Sequence, residues 1–208
     1  MATRRLYIER ILRQIYNGQP TDDSEISVAL VNEWLNNGIS IAAKNNYKEN
    51  YQLEGIGFLN NSFYSKFKGI AIVNDEVNLY RLTLPEVPLG IGSNEGVSTV
   101  IFKNSNNELS FPGIPLNERQ IGYSRSMREI PNKIMTYPEG NLYYAITSID
   151  LTKYTATVTM ASGGDSTNLD SVINVPGDYF PVITDYIKAQ LVFERKQLPD
   201  LNEDGRDI

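Results

Sequence analysis

Two hydrophobic periodicities occupy separate parts of this 208-residue chain. Apolar residues recur at helical spacing near both ends, whereas the middle consists of short apolar runs separated by Pro, Gly and Asn. Helical and strand patterns that are segregated along a chain favour an α+β fold over a βαβ fold. We therefore predict an N-terminal helical region at 1–55, an antiparallel β region at 56–176, a C-terminal helix at 177–198 and an acidic tail at 199–208.

The first helical segment covers residues 4–17. Its apolar residues fall on one face with arginines between them, and the pair Asn17-Gly18 followed by Pro20 is typical of a helix end. The next helical pattern begins after only a few residues. Because short links join antiparallel neighbours, these two segments are predicted to form a helical hairpin.

The second helix is predicted to begin at Asp22, because Glu25 three residues later completes a capping box. Its apolar face includes Trp34 and Leu35. Gly38 interrupts this face, so the segment is either one long helix with a weak point or two helices in line.

A third helix is predicted after Pro176. Pro181 lies in its first turn, where a missing N–H costs little. The helix is expected to end near Gln197, and residues 199–208 to form a free tail. We expect the helices from both ends of the chain to pack together and the β region to project from them as a lobe. The apolar stripe of the third helix consists of Phe180, Ile183, Ile187 and Leu191.

Three groups of paired strands are predicted in the β region. Each joins apolar runs across a turn rich in Asn, Asp, Gly or Pro. The last run alternates apolar residues with threonines, which is typical of a half-exposed antiparallel strand. The pairings are a hairpin of 69–73 with 77–84 across Asn74-Asp75, a pair of 97–103 with 108–111, and a meander of 133–137, 142–149 and 154–160.

Composition excludes several kinds of chemistry. The chain has no cysteine and no histidine, so it can form neither disulfides nor cysteine-based zinc sites, and it lacks every histidine-dependent catalytic group. Its net charge of −6 disfavours non-specific binding to nucleic acid. The sequence has no apolar run of about 18 residues and no secretory signal pattern, so we expect no transmembrane helix.

Two segments resemble ligand motifs but lack part of them. The run Gly90-Ile-Gly92-Ser-Asn-Glu-Gly96 is one residue too long for a dinucleotide fingerprint. Together with Pro85 and Pro88, its glycines predict a long, mobile loop at 85–96 that faces a neighbour or a channel. Asp200-Leu-Asn202-Glu-Asp204-Gly205 matches the start of a calcium loop, but the acid at the twelfth loop position is missing. We therefore expect no cofactor and no metal.

Two further groups of residues leave alternatives open. Four acids in loops are candidates for a carboxylate-based hydrolase, although nothing in the sequence brings them together. Three tyrosines suit contact with protein or sugar, or ordinary core and edge packing. No catalytic residue is assigned. The acids are Glu86, Glu95, Asp165 and Asp170, and the tyrosines are Tyr143, Tyr144 and Tyr154.

The N-terminal third, over about residues 3–58, resembles the head-to-tail connector proteins of short-tailed bacteriophages, and most closely the tail ring proteins of crAss-like phages. The residues that carry the resemblance are Arg4-Arg5-Leu6-Tyr7-Ile8-Glu9-Arg10-Ile11-Leu12, Asp22-Asp23-Ser24-Glu25-Ile26, Val31-Asn32-Glu33-Trp34-Leu35-Asn36 and Ile41-Ala42-Ala43-Lys44-Asn45-Asn46-Tyr47.

This resemblance implies a non-enzymatic structural subunit of the virion, made in the host cytoplasm. The implied partners are copies of the chain in a ring, twelve-fold if it matches the portal, the portal protein itself and adjacent tail ring proteins. DNA would pass through the channel without sequence-specific binding, and no membrane is implied. In related connectors a terminal arm reaches the portal, and here that arm would contain Pro199, Asp200, Leu201 and Asn202.

The two termini carry opposite charge, which favours attraction between neighbouring subunits. The predicted partner interface therefore also includes the basic residues Arg4, Arg5, Arg10 and Arg13. The alternatives are another phage structural β module, such as a fibre, baseplate or glycan-binding piece, and the carboxylate-based hydrolase.

Overall fold

The computed structural model of the chain describes residues 2–15, 27–91, 96–104, 106, 109–116 and 133–197. Within these ranges it contains three α-helices: α1 Arg4–Ile15, α2 Val28–Glu54 and α3 Phe180–Gln197. The strands are β1 Ala2–Thr3, β2 Tyr64–Glu76, β3 Leu79–Thr83, β4 Val97–Asn104, β5 Ser110–Pro115, β6 Ile134–Glu139, β7 Leu142–Ile146, β8 Tyr154–Ala161 and β9 Val172–Ile173. The mixed α+β class is confirmed.

The helix α2 is a single helix of 27 residues. It begins at Val28 because Ser27 is extended and its hydroxyl oxygen accepts a hydrogen bond from the N–H of Leu30 at 3.2 Å. The predicted start at Asp22 is therefore wrong, and Asp22 and Glu25 themselves lie outside the described residues. At the other end, Gly55 has the left-handed φ of 73° that ends a helix.

The helices from both ends of the chain share one hydrophobic core, as the sequence predicts. Each helix contributes its apolar stripe, and the short pair β1–β9 fixes the chain's N-terminus beside this core. The predicted hairpin link between α1 and α2, residues 16–26, lies outside the described residues. The buried members of the cluster include Tyr7, Ile8, Ile11, Leu12, Val31, Trp34, Leu35, Ile39, Ile183, Ile187 and Leu191.

The β region is a closed barrel of seven strands in the order β2-β3-β7-β6-β5-β4-β8. The prediction of an antiparallel lobe is therefore corrected in two respects. The sheet closes on itself, because β8 pairs with both β2 and β4. In addition, β5 and β6 are parallel, with Ile114 opposite Met135. The segment 117–132 between them is long enough for the crossover that parallel strands require.

Several of the predicted pairings are confirmed, but the meander is not. β6 and β7 form the expected hairpin, with Tyr137 opposite Tyr144, whereas β8 leaves this hairpin and pairs elsewhere. β4 and β5 pair as predicted. β2 and β3 also pair, but their turn lies at 77–78, where Asn78 has a φ of 63°, and not at Asn74-Asp75.

Apolar side chains fill the barrel, and a third cluster joins it to the helices. Ala156, Val158 and Met160 of β8 face inward, as their alternation predicts. The joining cluster contains Ala43 of α2, Ala161 of β8, and Leu59, Phe63 and Ile91. The helical layer therefore packs on one end of the barrel through shared buried side chains.

Candidate functional site

A cleft of about 430 Å³ opens where the helical layer meets the barrel. One wall is α2, another is the segment 85–90, and the third is the loop 163–166 that follows β8. The segment 85–90 is held there because the N–H of Leu89 donates to the carbonyl of Ala161 at 2.9 Å. The residues that line the cleft include Asn36, Ser40, Glu86, Pro88, Gly163 and Asp165.

The predicted mobile loop at 85–96 is thus fixed over its described part. The carbonyl of Gly96 accepts a hydrogen bond from the N–H of Ala161 at 2.7 Å. A Cβ at Gly96 would lie 2.1 Å from the carbonyl oxygen of Leu89, so only glycine fits this close approach of two backbone segments. Residues 92–95, including Glu95, lie outside the described residues.

Arg4 is fully buried and hydrogen-bonds to two residues that line the cleft, Asn36 and Gly163. Its guanidinium donates to the side-chain oxygens of Asn32 and Asn36, both at 2.8 Å, and to the backbone carbonyl of Gly163 at 2.5 Å. One side chain therefore ties α1 to α2 and to the loop after β8.

The charge of Arg4 is stabilised mainly by neutral oxygens. Burial lowers the pKa of Arg4, while the nearby negative charges of Asp165 and Glu86 raise it. A cation at the first residue of a helix also opposes the helix dipole. The charged form of Arg4 is thus stable only while Asn32, Asn36 and Gly163 accept its hydrogen bonds. This indicates a structural role for Arg4 where α1, α2 and the loop after β8 meet.

Two carboxylates stand at the cleft. Glu86 is half-buried and accepts a hydrogen bond from the hydroxyl of Ser162. Asp165 is exposed, and hydrogen bonds from the hydroxyl and the backbone N–H of Thr167, at 2.6 and 2.9 Å, lower its pKa. Asp165 is therefore ionised at neutral pH, and the cleft is suited to hydrogen-bonding or cationic groups.

The predicted site residues do not come together on one surface. Arg4 is buried, so it does not lie on the partner surface that the sequence predicted for it. Arg5 is exposed and forms a salt bridge to Asp170 at 2.9 Å, while Arg10 and Arg13 are exposed on α1. The four residues at 199–202, Pro199, Asp200, Leu201 and Asn202, lie outside the described residues.

Of the candidate carboxylates in the described part of the chain, only Glu86 and Asp165 come together, and the three candidate tyrosines do not. The topology of the fold brings Glu86 and Asp165 into one cleft. The two residues are 79 positions apart, so the sequence gives no indication that they are close in space. The three tyrosines do not form one surface. Tyr143 is buried in the barrel, and Tyr144 stacks on Tyr137 with ring centroids 5.2 Å apart.

A second candidate surface is the α2 tip, which we define as the exposed apolar residues Tyr51, Leu53, Ile56 and Phe58. Their exposed fractions are 59%, 82%, 69% and 37%. The tip is firmly anchored on its inner side, because Asn46 accepts a hydrogen bond from the N–H of Asn60 at 2.9 Å and donates to the hydroxyl of Tyr179 at 3.0 Å. An anchored backbone with exposed apolar side chains is typical of a surface that binds another protein.

Comparison of the sequence with models of known protein families and with curated proteins finds no match. None of the helices in the described ranges is long and apolar enough to cross a membrane. The same part of the chain contains no group of three acidic residues that could hold a metal ion.

Proposed function

We propose that this protein is a structural subunit of a bacteriophage head-to-tail connector, which forms a ring below the portal and continues the DNA channel. The observation that carries the proposal is the α2 tip. It exposes apolar side chains on a backbone that hydrogen bonds hold in place. A subunit that works by assembly needs such a preformed surface, because ordering a flexible segment on binding would weaken the contact.

The geometry of α2 supports this reading. A helix of 27 residues is about 40 Å long. Its buried residues extend only from Val31 to Asn46, so the last two turns leave the core. Burying the apolar area of the tip against a partner would therefore add hydrophobic stabilisation that the isolated subunit lacks.

The resemblance to tail ring proteins concerns this same helical layer. Residues that carry it, such as Ile8, Ile11, Trp34 and Leu35, are buried where α1 and α2 meet. A shared helical core is what related ring subunits would retain. The net charge of −6 is compatible with a channel that does not bind DNA tightly.

The test is the mass of the purified protein by light scattering, with negative-stain imaging, alone and with its portal protein. Rings in either sample are expected. The variant Leu53→Asp with Ile56→Asp should remain monomeric, because two charges would be buried in the contact. The matched control is Val77→Asp with Val192→Asp, which adds the same two charges at residues of the β2–β3 turn and of α3 that are 92% and 55% exposed, and it should assemble like the wild type.

A wild-type monomer that ignores the portal would refute the connector. Trimers that bind glycans would instead support a fibre or baseplate module. Full assembly of the Leu53→Asp, Ile56→Asp variant would show that the α2 tip is not the contact.

A second candidate function, a carboxylate-based hydrolase, is favoured by the joint position of Glu86 and Asp165 in the cleft. Hydrolysis of this kind requires one carboxyl group with a raised pKa, and the pKa of Asp165 is lowered. None of the described residues that line the cleft is aromatic. Glycosidase assays on the wild type and on Glu86→Gln test this candidate, which requires an activity that the substitution removes.

A further inference from the structure

Three adjacent strands of the barrel share an outer face without negative charge. β2, β8 and β4 are neighbours, and the residues 64–71, 154–161 and 97–104 that pair there include no Asp or Glu. The cationic residues of these segments are Lys66, Lys68 and Lys103, all exposed. The chain as a whole carries a net charge of −6, so this positive face is a local exception.

The register shows that the lysines and several threonines point to the same side. Phe67 of β2, Val158 of β8 and Phe102 of β4 belong to the barrel core. Their neighbours along each strand therefore point outward, because side chains alternate. Lys66 lies opposite Thr159, and Lys103 lies opposite Thr155. We call this surface the Lys–Thr face, which consists of Lys66, Lys68, Lys103, Thr155 and Thr159.

The chain contains a segment with the complementary charge. After Gln197, where α3 ends, the residues 198–208 include four acids and one arginine. Fully extended, these eleven residues reach about 36 Å. This is far enough to leave one subunit and cross the barrel of a neighbour, which is a few strands wide.

The charge spacing of the two partners is also similar. Lys66 and Lys103 are two strands and four residues apart, which is about 16 Å along the diagonal. Asp200 and Asp204 are about 13 Å apart in an extended chain. The described strands of the barrel leave no free edge, so side chains and not backbone groups would make the contact. The lysine ammonium groups would pair with the carboxylates of the tail, and the threonine hydroxyls would donate additional hydrogen bonds.

We infer that the acidic C-terminal segment, residues 199–208, of one copy of this protein binds the Lys–Thr face of the next copy. The inference rests on the proposed ring function, and it names a second contact between neighbours in addition to the α2 tip. The two surfaces differ, so the contact is head-to-tail, and such contacts form a ring when the rotation between copies closes. Several ion pairs at once are needed, because each exposed pair contributes little.

A charge exchange between two variants of the full chain tests this inference. The face variant carries Lys66→Glu, Lys68→Glu and Lys103→Glu. The tail variant carries Asp200→Lys, Glu203→Lys and Asp204→Lys. Under the conditions in which the wild type assembles, each variant alone should be monomeric by light scattering, because its face and its tail then have like charge. An equimolar mixture should assemble, since each face meets a tail of opposite sign.

The matched control is Lys44→Glu with Lys48→Glu and Lys188→Glu. It changes the net charge by the same amount on exposed residues of α2 and α3, and it should assemble like the wild type. The affinity of a labelled peptide of residues 198–208 for the full chain should fall about tenfold in the face variant and should weaken with salt. Circular dichroism of each variant confirms that it is folded.

The outcomes separate this inference from the proposed function. A wild type that never assembles, with or without the portal, refutes both. Rings that form equally well from the face variant refute the inference and leave the connector standing. A mixture that fails to assemble shows that the tail does not act between copies. Binding of a random-sequence DNA duplex, but not of the peptide, would assign the face to nucleic acid instead.

Discussion

The guanidinium of Arg4 is buried against neutral oxygens and not against a carboxylate. It donates to the side chains of Asn32 and Asn36 and to the carbonyl of Gly163. Removing the guanidinium would leave these partly buried oxygens without this donor, and a buried polar group that loses its partner costs about 1–3 kcal/mol. A single residue at the start of α1 thus determines how the first helix is attached to the rest of the fold.

We predict that Arg4→Met lowers the free energy of unfolding by about 3 kcal/mol, because methionine keeps the apolar stem and loses the donors. Urea denaturation measures this. The control Arg5→Met removes the neighbouring guanidinium, whose partner Asp170 is exposed, and should cause no measurable change. If Arg4→Met were as stable as Arg5→Met, the hydrogen bonds to Asn32, Asn36 and Gly163 would be of no energetic importance.

At the residue scale, the candidate site was only partly predictable. The opposite charge of the two termini predicts a partner surface for Arg4, and arginine side chains are mostly exposed. The available signal was its position in the first helical turn, where a cation is unfavourable unless other groups hold it. Glu86 and Asp165 were named as candidate acids, but only the pairing of distant segments places them in one cleft.

At the scale of elements, Gly38 shows how α2 and α3 approach each other. The sequence left open whether this glycine breaks the helix, and the structure places it inside one continuous helix. A Cβ at Gly38 would lie 2.9 Å from Cγ2 of Ile183, which is fully buried. The glycine is therefore explained by close helix packing and not by a break.

Replacing Gly38 by alanine sets two effects against each other. Alanine gains up to about 1 kcal/mol of helix propensity, whereas overpacking a core costs about 1–3 kcal/mol. We predict that Gly38→Ala lowers the free energy of unfolding by about 1 kcal/mol, measured by urea denaturation. The control Asn37→Ala, at the adjacent exposed residue, should be neutral or slightly stabilising. A gain in stability for Gly38→Ala would show that α3 can move away from α2 without a loss of packing energy.

The sequence determined local elements better than their partners. The pairs β2 with β3, β4 with β5 and β6 with β7 are predicted correctly because these strands are close in sequence, although the turn between β2 and β3 lies at 77–78 and not at Asn74-Asp75. The partners of β8 were missed, since β2 lies far earlier in the chain and alternation alone does not choose among edges. Barrel closure depends on such non-local pairings, those of β8 with β2 and β4 and that of β3 with β7.

At the scale of the whole molecule, the helical layer and the barrel are two cores joined by a third. Phe63 is 1% exposed and lies in the joining cluster, with its ring centroid 5.5 Å from that of Tyr179. Ala43 of α2 and Ala161 of β8 pack in the same cluster. Because both cores share these buried side chains, we expect the two cores to unfold together.

We therefore predict that Phe63→Ala destabilises α2 and β8 by the same amount, about 3–5 kcal/mol, because it creates a cavity between the two cores. Native-state hydrogen exchange measures the opening free energy of the most protected amides in each element. Val77→Ala removes apolar atoms at an exposed turn and should change neither value. If the amides of α2 lose protection while those of β8 keep it, the barrel is an independent folding unit. The junction would then be a hinge between the helices that we expect to assemble and the barrel that we expect to receive the neighbour's tail.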